Sequence, residues 1–449
     1  MDYYSTNLES DLVSYREALL QGQAPDRGLY LPTHIPQVSE AELTAFEKMD
    51  YPEIAYHIIK KFTEEEIPDD VLREMCRDAY NFSVPLESVT DRQHILRLDQ
   101  GPTASFKDFA ARMMGRQMAH FLNKEDGELL ILTATSGDTG SAVANAFLGL
   151  KNIKVVVLFP KDEVTDRQRK QMTTLGKNIR ILALDAKFDD CQALVKQAFA
   201  DPDLLKLNLS SANSINIGRL VPQAVYYFWA YSRIARHASP VRPVIFSVPS
   251  GNFGDMMGGV IAMKMGLPVK RFVIAVNEND EFPEFLDSGV YRKNEPSRNC
   301  LSSAMNVGHP SNLARLLAFY GGVMDEKGNI SIPPNMKTMR EQIWSVSITD
   351  EETRQCIRDA WGNHHLLLEP HGAVGWAGLQ LYLQENPDDT ACVSIETAHP
   401  AKFPEEIQHL LGFDPELPES LKELEQSDEE FAFLENNYAR FKEYLLKSD

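Results

Sequence analysis

One lysine of this sequence has neighbours that could make it a nucleophile. Lys107 lies in GPTASFKDFAARMM, between Phe106 and Phe109, where a helix is predicted to begin. Aromatic neighbours desolvate an ammonium group and a helix N-terminus repels it, so both lower the pKa of the amine below its usual value of about 10.4. Such an amine is a better nucleophile near neutral pH. From these residues alone, a solvated surface lysine is the alternative.

A second segment offers groups that bind anions. TATSGDTGSA, residues 133–142, follows an apolar strand pattern and opens a predicted helix, with hydroxyls on Thr135, Ser136 and Thr139. Hydroxyls and unpaired backbone N–H groups at a helix N-terminus bind carboxylates and phosphates. A tight turn without a ligand is the structural alternative.

A third segment, VPSGNFGDMMGG at residues 248–259, places Gly251 and Gly254 between a strand and a helix. Its backbone donors could surround a phosphate. The segment lacks the G-K-[ST] ending of a nucleotide-binding P-loop and departs from the G-x-G-x-x-G pattern of dinucleotide sites. A small monophosphate is therefore the expected ligand.

A fourth segment, NSINIGRL at residues 213–220, spaces Asn213, Asn216 and Arg219 three residues apart. On one helical face, two amides and a guanidinium could contact a single anion, with the arginine binding it through two N–H groups. An Asn or Ser helix cap followed by a solvated arginine is the alternative.

The composition limits the possible partners. The 449 residues are 43% hydrophobic, enough for two or three domains, and the net charge of -20 argues against nucleic acid or an anionic membrane. The five cysteines lack the spacing of a zinc site, the N-terminus lacks a signal-peptide pattern, and no apolar run is long enough for a membrane span. We therefore expect a reduced, cytoplasmic protein without a metal.

Short β-branched runs alternate with helical patterns from residue 128 onward, in a βαβ rhythm that predicts an α/β fold with mostly parallel sheets. We divide the chain into a mostly helical region at 1–90, an α/β domain at 91–215 that contains Lys107, a second α/β domain at 216–405, and a charged helical tail at 406–449. These boundaries are approximate, and the two α/β domains could interleave.

The segments together resemble the threonine synthase family, in its microbial form. The resemblance covers nearly the whole chain and includes, in this order, QGPTASFKDFAARMM, ILTATSGDTGSAVANAF, SANSINIGRL, VPSGNFGD, LSSAMNV, EPHGAVG and ETAHPAKF. It implies the fold type II of pyridoxal-phosphate (PLP) enzymes, which is similar to the β subunit of tryptophan synthase. That fold has two open, twisted, mostly parallel sheets flanked by helices.

The resemblance also implies roles for individual residues. Lys107 would form the Schiff base with PLP and move protons during turnover, and Thr397 would face the pyridine nitrogen. The PLP phosphate would be held by Ser250, Gly251, Asn252, Phe253 and Gly254. The substrate carboxylate would be bound by Thr135, Ser136, Gly137, Asp138 and Thr139, and the substrate phosphate by Asn213, Ser214 and Arg219.

Three side chains need separate interpretation. An ionised Asp138 would repel the PLP phenolate oxygen, so we expect it to be either turned away or protonated. His371 and His399 titrate in the neutral range, but we interpret both as hydrogen-bonded structural groups rather than catalytic ones.

The reaction implied by the resemblance is the last step of threonine biosynthesis, conversion of O-phospho-L-homoserine and water to L-threonine and phosphate by β,γ-elimination and replacement. A PLP-dependent phospholyase or dehydratase that releases a keto acid is the first alternative. A binding or regulatory protein that retains the fold is the second, and the presence of Lys107 argues against it. We expect a monomer or a small homo-oligomer.

Overall fold

The computed structural model describes residues 1–123, 127–135, 137–235, 242–387, 389–422, 424 and 427–447. Its N-terminal part contains the predicted helices together with a short antiparallel strand pair, which the sequence did not predict. The capping boxes at Ser14, Ser39 and Asp50 fix where three of these helices begin. The elements are β1 (Tyr3–Ser5), α1 (Tyr15–Gln21), β2 (Tyr30–Pro32), α2 (Glu40–Phe46), α3 (Tyr51–Thr63) and α4 (Asp69–Ala79).

The alternation of strands and helices predicted from residue 128 onward is confirmed. The elements that follow α4 are β3 (Leu86–Ser88), β4 (Gln93–Arg97), α5 (Lys107–Asn123), β5 (Leu129–Ala134), α6 (Asp138–Phe147), β6 (Ile153–Pro160), α7 (Asp166–Thr173), β7 (Ile179–Leu184), α8 (Phe188–Ala200), β8 (Leu209–Ser211) and α9 (Val221–Ala235). Single 3₁₀ turns lie at Pro202–Leu207 and Ile217–Arg219.

The C-terminal half continues this pattern. Its elements are β9 (Val244–Pro249), α10 (Gly254–Lys264), β10 (Val269–Val276), α11 (Glu281–Ser288), α12 (Leu313–Phe319), β11 (Val323–Met324), β12 (Ile330–Ile332), α13 (Met336–Gln342), β13 (Ile343–Ser347), α14 (Asp350–His364), α15 (Pro370–Glu385), β14 (Cys392–Glu396), α16 (Pro404–Leu411), α17 (Glu419–Lys422), β15 (Ala432–Leu434) and α18 (Tyr438–Lys447). Short 3₁₀ turns lie at Ser303–Met305 and Pro400–Lys402.

Two sheets organise the described residues. The larger has the strand order β13-β10-β9-β14-β4-β3 and is parallel except at its last strand, while the smaller has the order β15-β7-β6-β5-β8 and is parallel throughout. The central strands are buried along nearly their whole length, which explains their continuous apolar runs. The fold type II architecture implied by the sequence is therefore present.

The sheets divide the chain differently from the predicted boundaries. The predicted boundaries place strand β4 in the α/β domain at residues 91–215. In the structure β4 pairs with β14 in the larger sheet, so the two α/β domains interleave. The tail from residue 406 is not entirely helical, because β15 extends the edge of the smaller sheet beside β7. A strand of three residues is too short to show the alternation of apolar and polar residues from which strands are predicted.

Helix α18 closes the smaller sheet on its outer side. Its Phe441 and Leu445 are buried against Leu182, Leu184 and Leu194. The amphipathic pattern of the tail thus indicates packing on the protein itself, as expected from the sequence. The five cysteines form no disulfide. In the part of the chain that the structure describes, no helix combines the length and apolarity needed to cross a bilayer.

Candidate active site

Lys107 is positioned by two neighbouring parallel strands. The loop after β4 runs beside the segment after β14, with an isolated bridge between Ser105 and Ala398. The backbone N–H of Phe106 donates to the carbonyl of Thr397 at 2.8 Å. Because the carboxyl ends of adjacent parallel strands meet at one edge of the sheet, the predicted lysine and its predicted ring-nitrogen partner lie side by side. Lys107 is the first residue of α5, as the sequence predicted.

The surroundings of Lys107 lower the pKa of its amine. Its side chain is 12% exposed, and its Nζ lies 4.7 Å from the centre of the Phe106 ring. Burial lowers the pKa of Lys107 from its ordinary value, against the opposing effect of the Asp138 carboxylate. Phe109 is fully buried in the core, so one of the two flanking aromatic residues anchors the helix rather than contacting the amine.

Thr397 belongs to a buried network that sequence reasoning missed. Its hydroxyl donates to Glu369 Oε1 at 3.3 Å, and Glu369 also caps α15 by accepting from the backbone N–H of Gly372 at 2.9 Å. His371 Nδ1 lies 2.5 Å from Glu369 Oε2, and His371 Nε2 accepts from the backbone N–H of Ala304 at 3.0 Å. Since Nε2 accepts, the proton of the neutral ring is on Nδ1.

Both histidines that invited a catalytic interpretation are hydrogen-bonded, as predicted. His371 connects Glu369 to the turn at residues 303–305. His399 Nδ1 accepts from the backbone N–H of Ala401 at 3.1 Å and so caps the turn at Pro400–Lys402. Burial lowers the pKa of His399 to about 4, which keeps this ring neutral.

The loop between β9 and α10 has the geometry of a phosphate site. Phe253 adopts the left-handed conformation with φ 62°, and α10 begins at the next residue. Among the described residues, the backbone N–H groups of 251–254 have no hydrogen-bond partner, as expected at a helix N-terminus. The resemblance implies that the backbone N–H of Ser250 also binds the phosphate. In the structure this N–H donates to the carbonyl of Ala275 instead.

Gly251 allows the turn at Ser303–Met305 to approach this loop. A Cβ atom on Gly251 would lie 2.8 Å from Met305 Cα and 3.0 Å from the carbonyl oxygen of Ala304. These are backbone contacts, which a side-chain rotation cannot relieve. The LSSAMNV segment at residues 301–307 thus forms one wall of the site.

We predict that Gly251→Ala weakens PLP binding by about 10-fold or more, because a displaced loop loses at least one charge-assisted hydrogen bond worth about 1.5–3 kcal/mol. Equilibrium titration with PLP measures the change. Gly362→Ala is the matched control, since a Cβ there meets no atom within 4 Å and, as at Gly251, the φ angle is not positive. Equal affinities for Gly251→Ala and the unaltered protein would contradict this assignment.

The loop between β5 and α6 is held by its own side chains. Thr135 Oγ1 accepts from the backbone N–H groups of Gly137 at 2.9 Å and Gly140 at 2.8 Å. Gly137 has φ 128°, and a Cβ there would lie 2.6 Å from Gln168 Cδ. Ser136 lies outside the described residues. Thr139 and Asp138 line the same cavity as Lys107.

Asp138 lies between two lysines. Its Oδ1 lies 2.6 Å from Lys402 Nζ and accepts from Gln168 Nε2 at 2.9 Å, while its Oδ2 lies 3.8 Å from Lys107 Nζ. Burial raises the pKa of Asp138, but the charges of Lys402 and Lys107 outweigh burial and leave the pKa below its ordinary value. These contacts favour an ionised Asp138 over the protonated alternative, and an orientation away from the PLP phenolate oxygen stays a prediction.

The segment 213–219 brings its predicted anion-binding groups to the cavity. Asn213, Ser214 and Arg219 all line it. Two buried atoms, Asn213 Oδ1 and Arg219 Nε, have no hydrogen-bond partner, and Arg219 Nη1 donates to the carbonyl of Ala212 at 2.6 Å. Burial lowers the pKa of Arg219 to about 10, so the guanidinium is charged at neutral pH. Asn216 is different, because its amide bonds to the carbonyls of Leu19 and Ser211.

Arg315 supports this segment from behind, although an arginine in a helical pattern predicts a solvated side chain. It is fully buried and donates to the carbonyls of Ser214 at 2.9 Å, Ile215 at 2.6 Å and Tyr30 at 3.0 Å. Burial lowers its pKa to about 9. Asn312 reaches the same segment by donating to Ser214 Oγ at 3.1 Å. No local pattern in the sequence indicates these contacts.

All described candidate residues except Gly137 line one cavity. PLP needs an amine for its aldehyde, donors for its phosphate and a partner for its ring nitrogen. The cavity provides Lys107, the unpaired N–H groups of 251–254 and the hydroxyl of Thr397. These residues fit the cofactor. Further lining residues that the sequence did not single out are Phe188, Gln192, Gln223, Asp255, Ala304 and Asn306.

The family comparisons agree with this geometry. The family described as "Pyridoxal-phosphate dependent enzyme" matches residues 90–397, which is more than half of the chain. The fold and the cavity around Lys107 thus define a PLP-dependent enzyme. Two further families flank this match, "Threonine synthase N terminus" at residues 2–80 and "Threonine synthase, C-terminal" at residues 372–445.

Individual relatives show which family of PLP-dependent enzymes the chain resembles. Threonine synthase of Haemophilus influenzae is 39% identical over 460 residues, covering 100% of both chains. The crystal structure of threonine synthase from Escherichia coli superposes with a TM-score of 0.89 at 36% identity and covers 100% of both chains. A PLP-bound threonine synthase from Brucella melitensis gives 0.91 at 35% identity, covering 99% of this chain and 98% of that one. This chain belongs to the threonine synthase family.

Proposed function

We propose that this protein converts O-phospho-L-homoserine and water to L-threonine and phosphate in the cytoplasm, as a monomer or small homo-oligomer. One observation carries the proposal. The Lys107 amine shares its cavity with two separate sets of anion-binding groups, the free N–H groups of 251–254 and the buried guanidinium of Arg219. A cofactor phosphate and a substrate phosphate require two such sets.

The cofactor would occupy the side of the cavity between the larger sheet and α10. Lys107 Nζ would bond to its aldehyde carbon, and the N-terminus of α10 would hold its phosphate. Thr397 would face the ring nitrogen, and its hydroxyl would donate its one proton to that nitrogen in place of Glu369 Oε1. A neutral hydroxyl at this place leaves the ring nitrogen largely unprotonated and tempers the electron withdrawal of the ring.

The substrate would bind between the two helix N-termini. The backbone N–H groups at Asp138 and Thr139, which bond to no described residue, would bind its α-carboxylate together with the Thr135 and Thr139 hydroxyls. Asn213, Ser214 and Arg219 would bind its phosphate, since Arg219 Nε is the buried donor that still needs an acceptor.

PLP, when bound, supplies an electron sink that stabilises negative charge at substrate carbons. The chain supplies the proton transfers and the exclusion of water. Lys107 Nζ is placed to take the proton from Cα and to return a proton later, and its lowered pKa suits it to act as a base near neutral pH. Loss of a proton from Cβ lets phosphate leave from Cγ, Cγ then takes up a proton to become the methyl group, and water adds at Cβ. Arg219, being charged, stabilises the departing phosphate.

The test is product analysis with purified protein, PLP and O-phospho-L-homoserine. We expect threonine and inorganic phosphate in a ratio of one to one, with no phosphate release when PLP is omitted. A keto acid and ammonia as the main products would instead establish the phospholyase or dehydratase alternative. Absence of turnover in the loaded protein would favour a binding role.

A further inference from the structure

A row of three charged groups crosses the candidate site. Lys402 Nζ, Asp138 Oδ1 and Oδ2, and Lys107 Nζ follow one another at 2.6 Å and 3.8 Å. Lys402 is fully buried, and Asp138 is only 3% exposed. Both lysines thus pair with the Asp138 carboxylate, and Lys402, which has no role in the proposed reaction, is the closer of the two.

Lys402 is fixed in place by contacts that have no part in the chemistry. Its Nζ also donates to the carbonyl of Thr103 at 2.9 Å, and its own carbonyl accepts from Thr165 Oγ1 at 3.2 Å. Arg167 Nη1 donates to the neighbouring carbonyl of Ala401 at 2.6 Å. These bonds connect the turn after β14 to α7 beside the smaller sheet, so the position of the ammonium is set by both parts of the fold.

We propose that Lys402 is a positioning residue that restrains the Asp138 carboxylate, so that Asp138 holds a proton on Lys107 without forming a tight ion pair with it. A carboxylate free to turn would approach Lys107 to hydrogen-bond distance and trap it as ammonium. A site without the carboxylate would leave Lys107 unable to retain the proton that it must later return. This inference depends on the proposed role of Lys107.

Other charged groups around Lys107 act in addition to this row. Burial has the largest effect on the pKa of Lys107 and lowers it, and the charge of Asp138 raises it. The charges of Lys402 and Arg219 lower this pKa further, and that of Glu369 raises it. Asp255, at the start of α10, also interacts with Lys107. Only Asp138 lies within 4 Å of the amine as a salt-bridge partner among the described residues.

The two ends of the row predict shifts of opposite sign. Asp138→Asn removes the charge that favours the ammonium form of Lys107, so the pKa of the amine falls. Lys402→Met removes a repelling cation and frees Asp138 to approach Lys107, so the pKa rises. Each shift should be about one pH unit or more, the range for a charge within about 4–6 Å.

The experiment measures the reactivity of Lys107 in protein freed of PLP. The amine attacks the PLP aldehyde and releases water, and borohydride reduces the resulting C=N bond to a stable product whose position is read by peptide mass spectrometry. The rate is followed against pH, and its midpoint reports the pKa of Lys107. Lys442→Met is the matched control, because it removes a lysine paired with Asp201 at 2.8 Å and Asp203 at 2.6 Å on the distant α18.

We expect the midpoint to fall in Asp138→Asn, to rise in Lys402→Met and to stay unchanged in Lys442→Met. The shift that Lys402→Met causes should be less than half as large in the Asp138→Asn protein as in the unaltered protein, because the Asp138→Asn protein has no carboxylate for Lys402 to restrain. An unchanged midpoint in Asp138→Asn, or equal shifts of Lys402→Met in both backgrounds, would overturn the inference. If Lys402→Met does not fold, Lys402→Gln replaces it, because the amide removes the charge but keeps a donor for the carbonyl of Thr103, and the same rise of the midpoint is expected.

This design separates the inference from the function on which it depends. Labelling of Lys107 with midpoints that do not move would overturn only the role of Lys402. Absence of labelling at Lys107 in the unaltered protein would overturn the proposed function and this inference together.

Discussion

Lys107→Ala is expected to abolish covalent binding of PLP and to lower turnover of O-phospho-L-homoserine by at least about 10²-fold, the lower end of what a positioned acid–base group contributes. The reason is that Lys107 lines the cavity with a largely buried amine whose pKa is lowered by burial. Methyl replacement leaves no group to bond to the aldehyde or to move the Cα proton.

Two measurements check this result. The visible absorbance of lysine-bound PLP should be absent, and borohydride should fix no cofactor to the protein. Lys442→Ala, in the distant α18, should keep both the absorbance and the activity. A coloured, fully active Lys107→Ala protein would refute the assignment of this lysine.

Arg219→Ala is expected to raise KM for O-phospho-L-homoserine by about 10- to 100-fold, with PLP binding unchanged. Its Nε is a buried donor without a partner, and its guanidinium is charged at neutral pH because its pKa is about 10. Loss of hydrogen bonds to a charged group costs about 1.5–3 kcal/mol, which corresponds to this factor. Inhibition by inorganic phosphate should weaken in parallel.

Arg219→Lys distinguishes charge from geometry. It keeps the positive charge but loses the planar pair of N–H donors, so its KM should lie between those of the unaltered protein and Arg219→Ala. Arg180→Ala provides a surface control, since Arg180 donates only to nearby backbone carbonyls. If KM does not change in Arg219→Ala, the substrate phosphate is bound elsewhere in the cavity.

Local patterns predicted much of this fold because the physical causes are local. The buried strands β5, β6 and β9 show as continuous apolar runs, and the Gly-rich segments after β5 and β9 lead into helices whose first N–H groups bond to no described residue. Lys107 begins a helix beside Phe106, as the pattern indicated.

The rest depends on contacts between distant parts of the chain. The pairing of β4 with β14 assigns the lysine loop to the larger sheet, although the next strand in the chain, β5, lies in the smaller one. Such pairing leaves no trace in the period of either strand. The same holds for Arg315, whose partners lie in segments far from α12 in the chain.

Asp138 shows most clearly what a sequence alone omits. Its carboxylate near a phenolate predicts repulsion, and therefore an averted or neutral group. The structure adds Lys402, whose ammonium lies 2.6 Å from it and makes the ionised form stable in a buried place. The ionised state of Asp138 thus depends on Lys402, a residue that no sequence pattern connects to Asp138.

The most direct test of the proposed reaction follows the oxygen of water. Purified protein loaded with PLP would be given O-phospho-L-homoserine in water enriched in oxygen-18, and threonine and phosphate would be analysed by mass spectrometry. Addition of water at Cβ predicts one labelled oxygen in the threonine hydroxyl and none in the phosphate. Label in phosphate with homoserine as the product, or label only in a keto acid, would contradict the account.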